Sequence, residues 1–102
     1  MVEPTRALDR LVKESIQPQA RLLGDILRDL AGPGVPEASL QMAGMSVVGQ
    51  IVFYCHCQPV LQRLYPGTVF DATRLEALTR HITDFSLAAV RGLAAKIGRA
   101  HV

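Results

Sequence analysis

The tripeptide Cys55-His56-Cys57 is where a metal site would first be sought, because thiolates and imidazoles are the ligands that zinc prefers. Neighbouring residues of a helix point about 100° apart, so three adjacent side chains cannot converge on one ion. The same geometry argues against a Cys–His nucleophile pair. We therefore interpret both cysteines as buried thiols in a core or an interface, and we predict no metal and no cofactor.

His81 and Asp84 lie one turn apart in a predicted helix and could touch, as an acid–base pair does. No Ser, Cys or second carboxylate at a suitable spacing completes a catalytic set. Gly32, Gly34 and Gly67 are ordinary turn residues, and the sequence contains no glycine-rich phosphate-binding loop. A structural contact is the simpler interpretation, and the sequence predicts that the chain is not an enzyme.

The segment 38–62 contains no Asp, Glu, Lys or Arg. A helix there would be apolar nearly all round, and such a helix is normally buried on every side. A chain of 102 residues has little material with which to cover one of its own helices completely. We predict that a second molecule supplies the cover. A membrane span is disfavoured by the polar side chains of Gln41, Ser46 and Gln50 within the segment.

The charge pattern argues against nucleic-acid binding by these residues alone. The net charge is only +2, and the basic residues are spread along the chain instead of forming one face. The first residues lack a basic segment followed by an apolar run, so no signal peptide is predicted. A cytoplasmic location is expected.

Prolines, glycines and capping residues divide the chain into helices. Apolar residues keep a helical period across Pro18, which favours one long kinked helix over two separate ones. Thr5 and Asp71 are predicted N-caps. The predicted helices cover residues 6–31, 36 to 55 or 56, and 72–95, with an interruption at Gln58-Pro59 and a loop over 65–68. The fold class is all-α, an antiparallel helical bundle.

Several short segments resemble one family of bacterial regulators. In chain order they are Glu3-Pro4-Thr5 with Ala7-Leu8, Ile16-Gln17-Pro18, Ser46-Val47-Val48-Gly49-Gln50, Pro59-Val60-Leu61, and the run from His81 to Ala89. Their order and spacing resemble the C-terminal domain of TetR-family transcriptional repressors, and most of all its CerR-like subgroup.

The resemblance implies a division of labour. Regulators of this family read operator DNA as dimers through an N-terminal helix-turn-helix. Their C-terminal helices enclose a ligand cavity, and the last two long helices pair with their copies in a four-helix bundle. The DNA-reading part is absent from these residues, so the chain is expected to be an N-terminally truncated fragment that contacts DNA only through that absent domain.

The expected partners are a second copy of the chain and a small apolar or amphipathic effector. Met42, Phe53 and Tyr54 either line such a pocket or fill the core. A helical adaptor without a ligand is the main alternative, and a membrane-associated helical protein is a third. Candidate pocket residues are Leu22, Leu23, Ile26, Met45, Val48, Ile51 and Val52. Candidate dimer-interface residues are Gly44, Val47, Ile51, Leu78, Phe85 and Ala88.

The last seven residues, 96–102, form a separate unit in this interpretation. Their sequence, Lys-Ile-Gly-Arg-Ala-His-Val, is what a widely used sequencing-adapter oligonucleotide encodes in one frame. We expect that adapter sequence replaced the native C-terminus. The predicted domain therefore covers residues 1–95, and the tail is excluded from it.

Overall fold

The computed structural model describes the backbone of residues 4–100 and the side chains of residues 5–96, and every regular element in that part is helical. The all-α prediction is confirmed. The elements are α1 (Pro4–Leu11), a π-helical segment (Val12–Ile16), α2 (Gln17–Ala31), α3 (Glu37–His56), α4 (Gln58–Leu64) and α5 (Ala72–Ala100).

The first three elements form one helical run with no break between them. Pro18 has no N–H to donate to the carbonyl of Glu14, and its ring crowds that carbonyl. The chain accommodates this with wider turns just before the proline, where the N–H of Gln17 donates to the carbonyl of Val12, five residues back. The run begins at Pro4, so Thr5 lies inside the helix and its predicted role as N-cap is wrong.

A tight connection joins α2 to α3. Gly32 has a φ of 84°, a conformation that favours glycine, and its N–H donates to the carbonyl of Arg28. The Arg28 guanidinium then donates to the carbonyls of Gly32 (2.9 Å) and Val35 (2.7 Å), and it pairs with Glu37 (3.1 Å). These contacts fix where α3 starts relative to the end of α2.

The remaining boundaries follow the local chemistry of capping. Cys57 lies between α3 and α4 outside both helices. The side chain of Asp71 accepts a hydrogen bond from the N–H of Arg74 at 2.8 Å, as predicted for the N-cap of the last helix. That helix extends to Ala100 instead of ending near Ala95, so most of the predicted tail continues α5. Residues 101–102 of the tail lie outside the described residues.

The core lies where α2, α3 and α5 meet. Leu27, Val35, Leu40 and Val90 form one cluster, and each is less than 5% exposed. Gln50 contacts Ser86, whereas the earlier residue Leu40 packs with the later Val90, so α3 and α5 run antiparallel. Phe85, a predicted dimer-interface residue, is 60% exposed, and α5 contributes Val90 to the core.

The molecule is too open for a self-sufficient domain of its size. Its radius of gyration is 17.0 Å, whereas a compact domain of this length has about 13 Å. Its accessible surface is 8077 Å², whereas a folded monomer of 11.1 kDa has about 5,700 Å². The excess of about 2,400 Å² includes many apolar side chains. This chain alone leaves much of its apolar surface uncovered.

Candidate effector groove and partner-facing surface

A groove of about 700 Å³ runs between α2 and α3, and we call it the α2–α3 groove. Its size lies within the range of small-molecule sites in proteins. From α2 it is lined by Gln17, Ala20, Arg21, Leu23, Gly24, Asp25, Leu27 and Arg28, and from α3 by Glu37, Leu40, Gln41, Gly44, Met45 and Val48.

The floor of the groove lies where α3 packs against two leucines of α2. Gly44 is buried, and a Cβ at this position would lie 3.6 Å from Cδ1 of Leu27 and 3.8 Å from Cδ2 of Leu23. These are ordinary van der Waals distances. An alanine at position 44 would therefore fit without displacing either leucine, and the floor between the helices is apolar.

The predicted pocket residues divide among three places. Leu23, Met45 and Val48 line the α2–α3 groove. Ile51 lines a groove between α3 and α5 instead. Leu22, Ile26 and Val52 line none of the described grooves and are about half exposed or more. The sequence period therefore did not fix which side of α2 faces the groove.

Two smaller grooves lie along the seam between α3 and α5, with volumes of about 370 and 340 Å³. Both are lined by Val47 and Ser86. The amide of Gln50 donates to the hydroxyl of Ser86 at 3.2 Å, which makes one polar link across a largely apolar seam. That link fixes the relative position of the two helices at mid-length.

Four rings form a chain across the same two helices. Phe53 packs edge-on against Tyr54, with ring centroids 5.7 Å apart. Tyr54 packs edge-on against His81 at 6.0 Å, and His81 lies 5.8 Å from Phe85. Spacings in this range are typical of favourable aromatic pairs. Phe53 and Phe85, at the two ends of the chain, are both exposed.

The rings are part of a wider uncovered surface, which we call the α3–α5 face. It consists of Met42, Phe53, His81, Phe85 and Ala88, all of which are exposed. Met42 is 71% exposed and lines the same groove as Phe85, and Ala88 lies one turn beyond Phe85. Large apolar side chains that share one surface mark interaction sites. Within the described residues this face has no covering element.

The residues predicted for the dimer interface also separate by location. Phe85 and Ala88 lie on the α3–α5 face. Val47, Ile51 and Leu78 lie in the seam beneath it, where they contribute to the packing of α3 on α5. Gly44 lies on the other side of α3, buried against α2 of its own chain.

Among the described residues, no ion pair joins the side chains that could do chemistry. His81 contacts the rings of Tyr54 and Phe85, and no hydrogen bond or ion pair joins it to Asp84. Cys55 and Cys57 are half-buried free thiols. The residues that the structure describes contain no group of three or more His, Cys, Asp or Glu side chains that could hold a metal ion.

By length and composition α3 could cross a membrane, and it is the one helix of which this holds within the described residues. Core helices of soluble proteins pass the same test, so this is weak evidence. In this chain α3 is mostly exposed, because α2 and α5 cover only part of it. The part of α3 that α2 and α5 leave exposed is the main feature that a proposed function must account for.

Arg28 and Val90 carry structural roles that the sequence analysis did not assign. Val90 could have been found, because Ile82, Ser86 and Val90 follow one another at spacings of four along α5. Arg28 gave no such signal. Its partners include two backbone carbonyls in a turn, and sequence periodicity carries no information about those.

Comparison with known proteins places this geometry in a family. The family described as "HTH-type transcriptional dual regulator CecR, C-terminal domain" matches residues 1–90, which confirms the TetR-type C-terminal assignment. No curated protein and no solved structure matches the chain. The CerR-like subgroup and the truncation stay predictions. Because the match covers most of its length, the chain belongs to the family of CecR C-terminal domains.

Proposed function

We propose that this chain is the effector-sensing and dimerisation part of a cytoplasmic TetR-type transcriptional regulator. The observation that carries the proposal is the α3–α5 face, an uncovered apolar surface on the last two long helices. A standard protein interface buries about 800 Å² on each partner, and the excess surface of this chain is larger than that. A second copy of the chain is the occupant that we propose for this face.

The α2–α3 groove is the proposed effector site. Its apolar floor and polar rim suit a small apolar or amphipathic molecule. Because α3 forms one wall of this groove and also contributes to the α3–α5 face, an effector that shifts α3 also shifts the dimer geometry. If the effector binds one of two dimer geometries more tightly than the other, its binding shifts the population toward that geometry.

DNA binding enters this proposal through a helix-turn-helix encoded upstream of Met1. The net charge of +2 gives these residues no concentrated basic surface for phosphates. Sequencing the genomic DNA on both sides of the gene tests the proposed parent protein. We expect an in-frame helix-turn-helix upstream, and coding sequence past Ile97 that differs from the adapter.

Native mass spectrometry tests the dimer. We expect the 102-residue chain to be a dimer, and we expect Phe85→Asp to be a monomer because a carboxylate cannot be buried there without a partner. Leu22→Asp is the matched control, since Leu22 is 63% exposed and lies outside the α3–α5 face. It should remain dimeric.

A monomeric wild-type chain would exclude the proposed pair and favour the adaptor alternative, in which a different protein covers the α3–α5 face. Partition of the chain into detergent micelles would favour the membrane alternative through α3. Each outcome of these two measurements therefore selects one class of protein.

A further inference from the structure

The two walls of the α2–α3 groove differ in chemistry. Gln17, Arg21 and Arg28 line it from α2 at spacings of four and seven, so these N–H donors lie along one side of that helix. The α3 wall is mainly apolar and contributes Met45 and Val48. A molecule lying in the groove would meet the hydrogen-bond donors of α2 along one rim, and hydrocarbon on the floor and on the α3 wall.

The two arginines of this wall are not equivalent. Arg28 is already committed to the carbonyls of Gly32 and Val35 and to the carboxylate of Glu37. Arg21 makes no ion pair and no side-chain hydrogen bond within the described residues, although Asp25 follows it by one turn. Arg21 is therefore an exposed cation at the groove that its own chain leaves unpaired.

The acidic groups of the groove do not form an ion pair with Arg21. Glu37 is held by Arg28 at 3.1 Å. Asp25 lines the groove but does not come within ion-pair distance of Arg21. A guanidinium recognises a carboxylate through two parallel N–H···O bonds, a geometry that a neutral hydroxyl cannot match.

We propose that the α2–α3 groove binds a small amphipathic carboxylate, with its carboxylate on Arg21 and its apolar tail along Leu23, Met45 and Val48. This inference rests on the proposed function and names the chemical class of the effector. The positive charge of Arg21 favours an anionic head group, and the apolar lining of the groove favours a hydrocarbon tail.

Isothermal titration calorimetry of the full chain with three ten-carbon probes tests the inference. The probes are decanoate, 1-decanol and decyltrimethylammonium, each kept below its aggregation concentration. We expect decanoate to bind about tenfold more tightly than decanol, about the effect of one hydrogen bond to a charged group. The ammonium probe should bind most weakly. Added salt should weaken the binding of decanoate but not of decanol.

Substitutions of Arg21 test whether this residue binds the carboxylate of the probe. Arg21→Gln should remove the preference for decanoate over decanol and leave the binding of decanol unchanged. Arg21→Lys keeps the charge but loses the bidentate fork, and it should keep only part of the preference. Arg91→Gln is the matched control, because Arg91 is exposed on α5 and does not line the groove. It should behave as the wild type.

The outcomes separate this inference from the proposed function. Equal affinity for decanoate and decanol, or a preference that survives Arg21→Gln, would overturn the carboxylate while leaving an effector site in the groove. Failure of all three probes to bind would overturn both the carboxylate and the groove as the effector site. The dimer is measured independently and would be unaffected.

Discussion

At the scale of single residues, the guanidinium of Arg28 joins the end of α2 to the start of α3. We expect Arg28→Met to lower the free energy of unfolding by about 1–2 kcal/mol, because two backbone carbonyls lose a charged donor. Glu37→Gln removes only a solvent-exposed ion pair and should cost about 0.5 kcal/mol or less. Urea unfolding at one fixed protein concentration measures both values. Equal losses in the two variants would show that the ion pair dominates the contact.

Sequence-based prediction at this scale succeeded where a residue acts through its own backbone or cap. Asp71 caps α5 as predicted, because a carboxylate at that position bonds N–H groups two or three residues on. Gly44 was expected at a partner contact, but its neighbours are Leu23 and Leu27 of the same chain. A glycine in a helix does not by itself indicate a close contact, since Gly24 and Gly49 have open space where a Cβ would lie.

At the scale of elements, Pro18 in the long first helical run and Pro59 in α4 show where a helix tolerates a proline. Pro18 lies within the helical run, whereas Pro59 lies in the first turn of α4, where no N–H is needed. We expect Pro18→Ala to raise the free energy of unfolding by about 1–2 kcal/mol, after the gain in unfolded-chain entropy is subtracted. Pro59→Ala should instead lower it by about 0.5 kcal/mol. Urea unfolding with far-ultraviolet circular dichroism measures both, and no gain in Pro18→Ala would show that the wide turns do not depend on the proline.

The limits of the helices could largely be read from the sequence, since Gly32, Pro36 and Asp71 interrupt the helical period. The π-helical turns over Val12–Ile16 could not, because a kink and a wide turn relieve the same clash at Pro18. The rotation of each helix was also beyond prediction. Contacts between helices decide it, and that is why the place of Val90 in the core was not predicted.

At the scale of the whole molecule, the lack of charge over residues 38–62 predicted that α3 would be under-covered by its own chain. The surface of 8077 Å² agrees with that expectation. The covered and uncovered sides of α3 could not be predicted, because the positions of α2 and α5 determine them. A second molecule that covers the α3–α5 face should make the stability of the chain depend on its concentration.

For a dimer that unfolds to two separate chains, the melting temperature rises with protein concentration. With the usual entropy of unfolding per residue, we expect about 3–4 °C for each tenfold increase. Differential scanning calorimetry over a hundredfold range of concentration measures the slope. Met42→Asp, on the α3–α5 face, should abolish the slope, whereas Leu8→Asp should preserve it because α1 packs on neither α3 nor α5. A flat wild-type profile would mean that the chain folds and unfolds alone, and the proposed sensor dimer would then have to be abandoned.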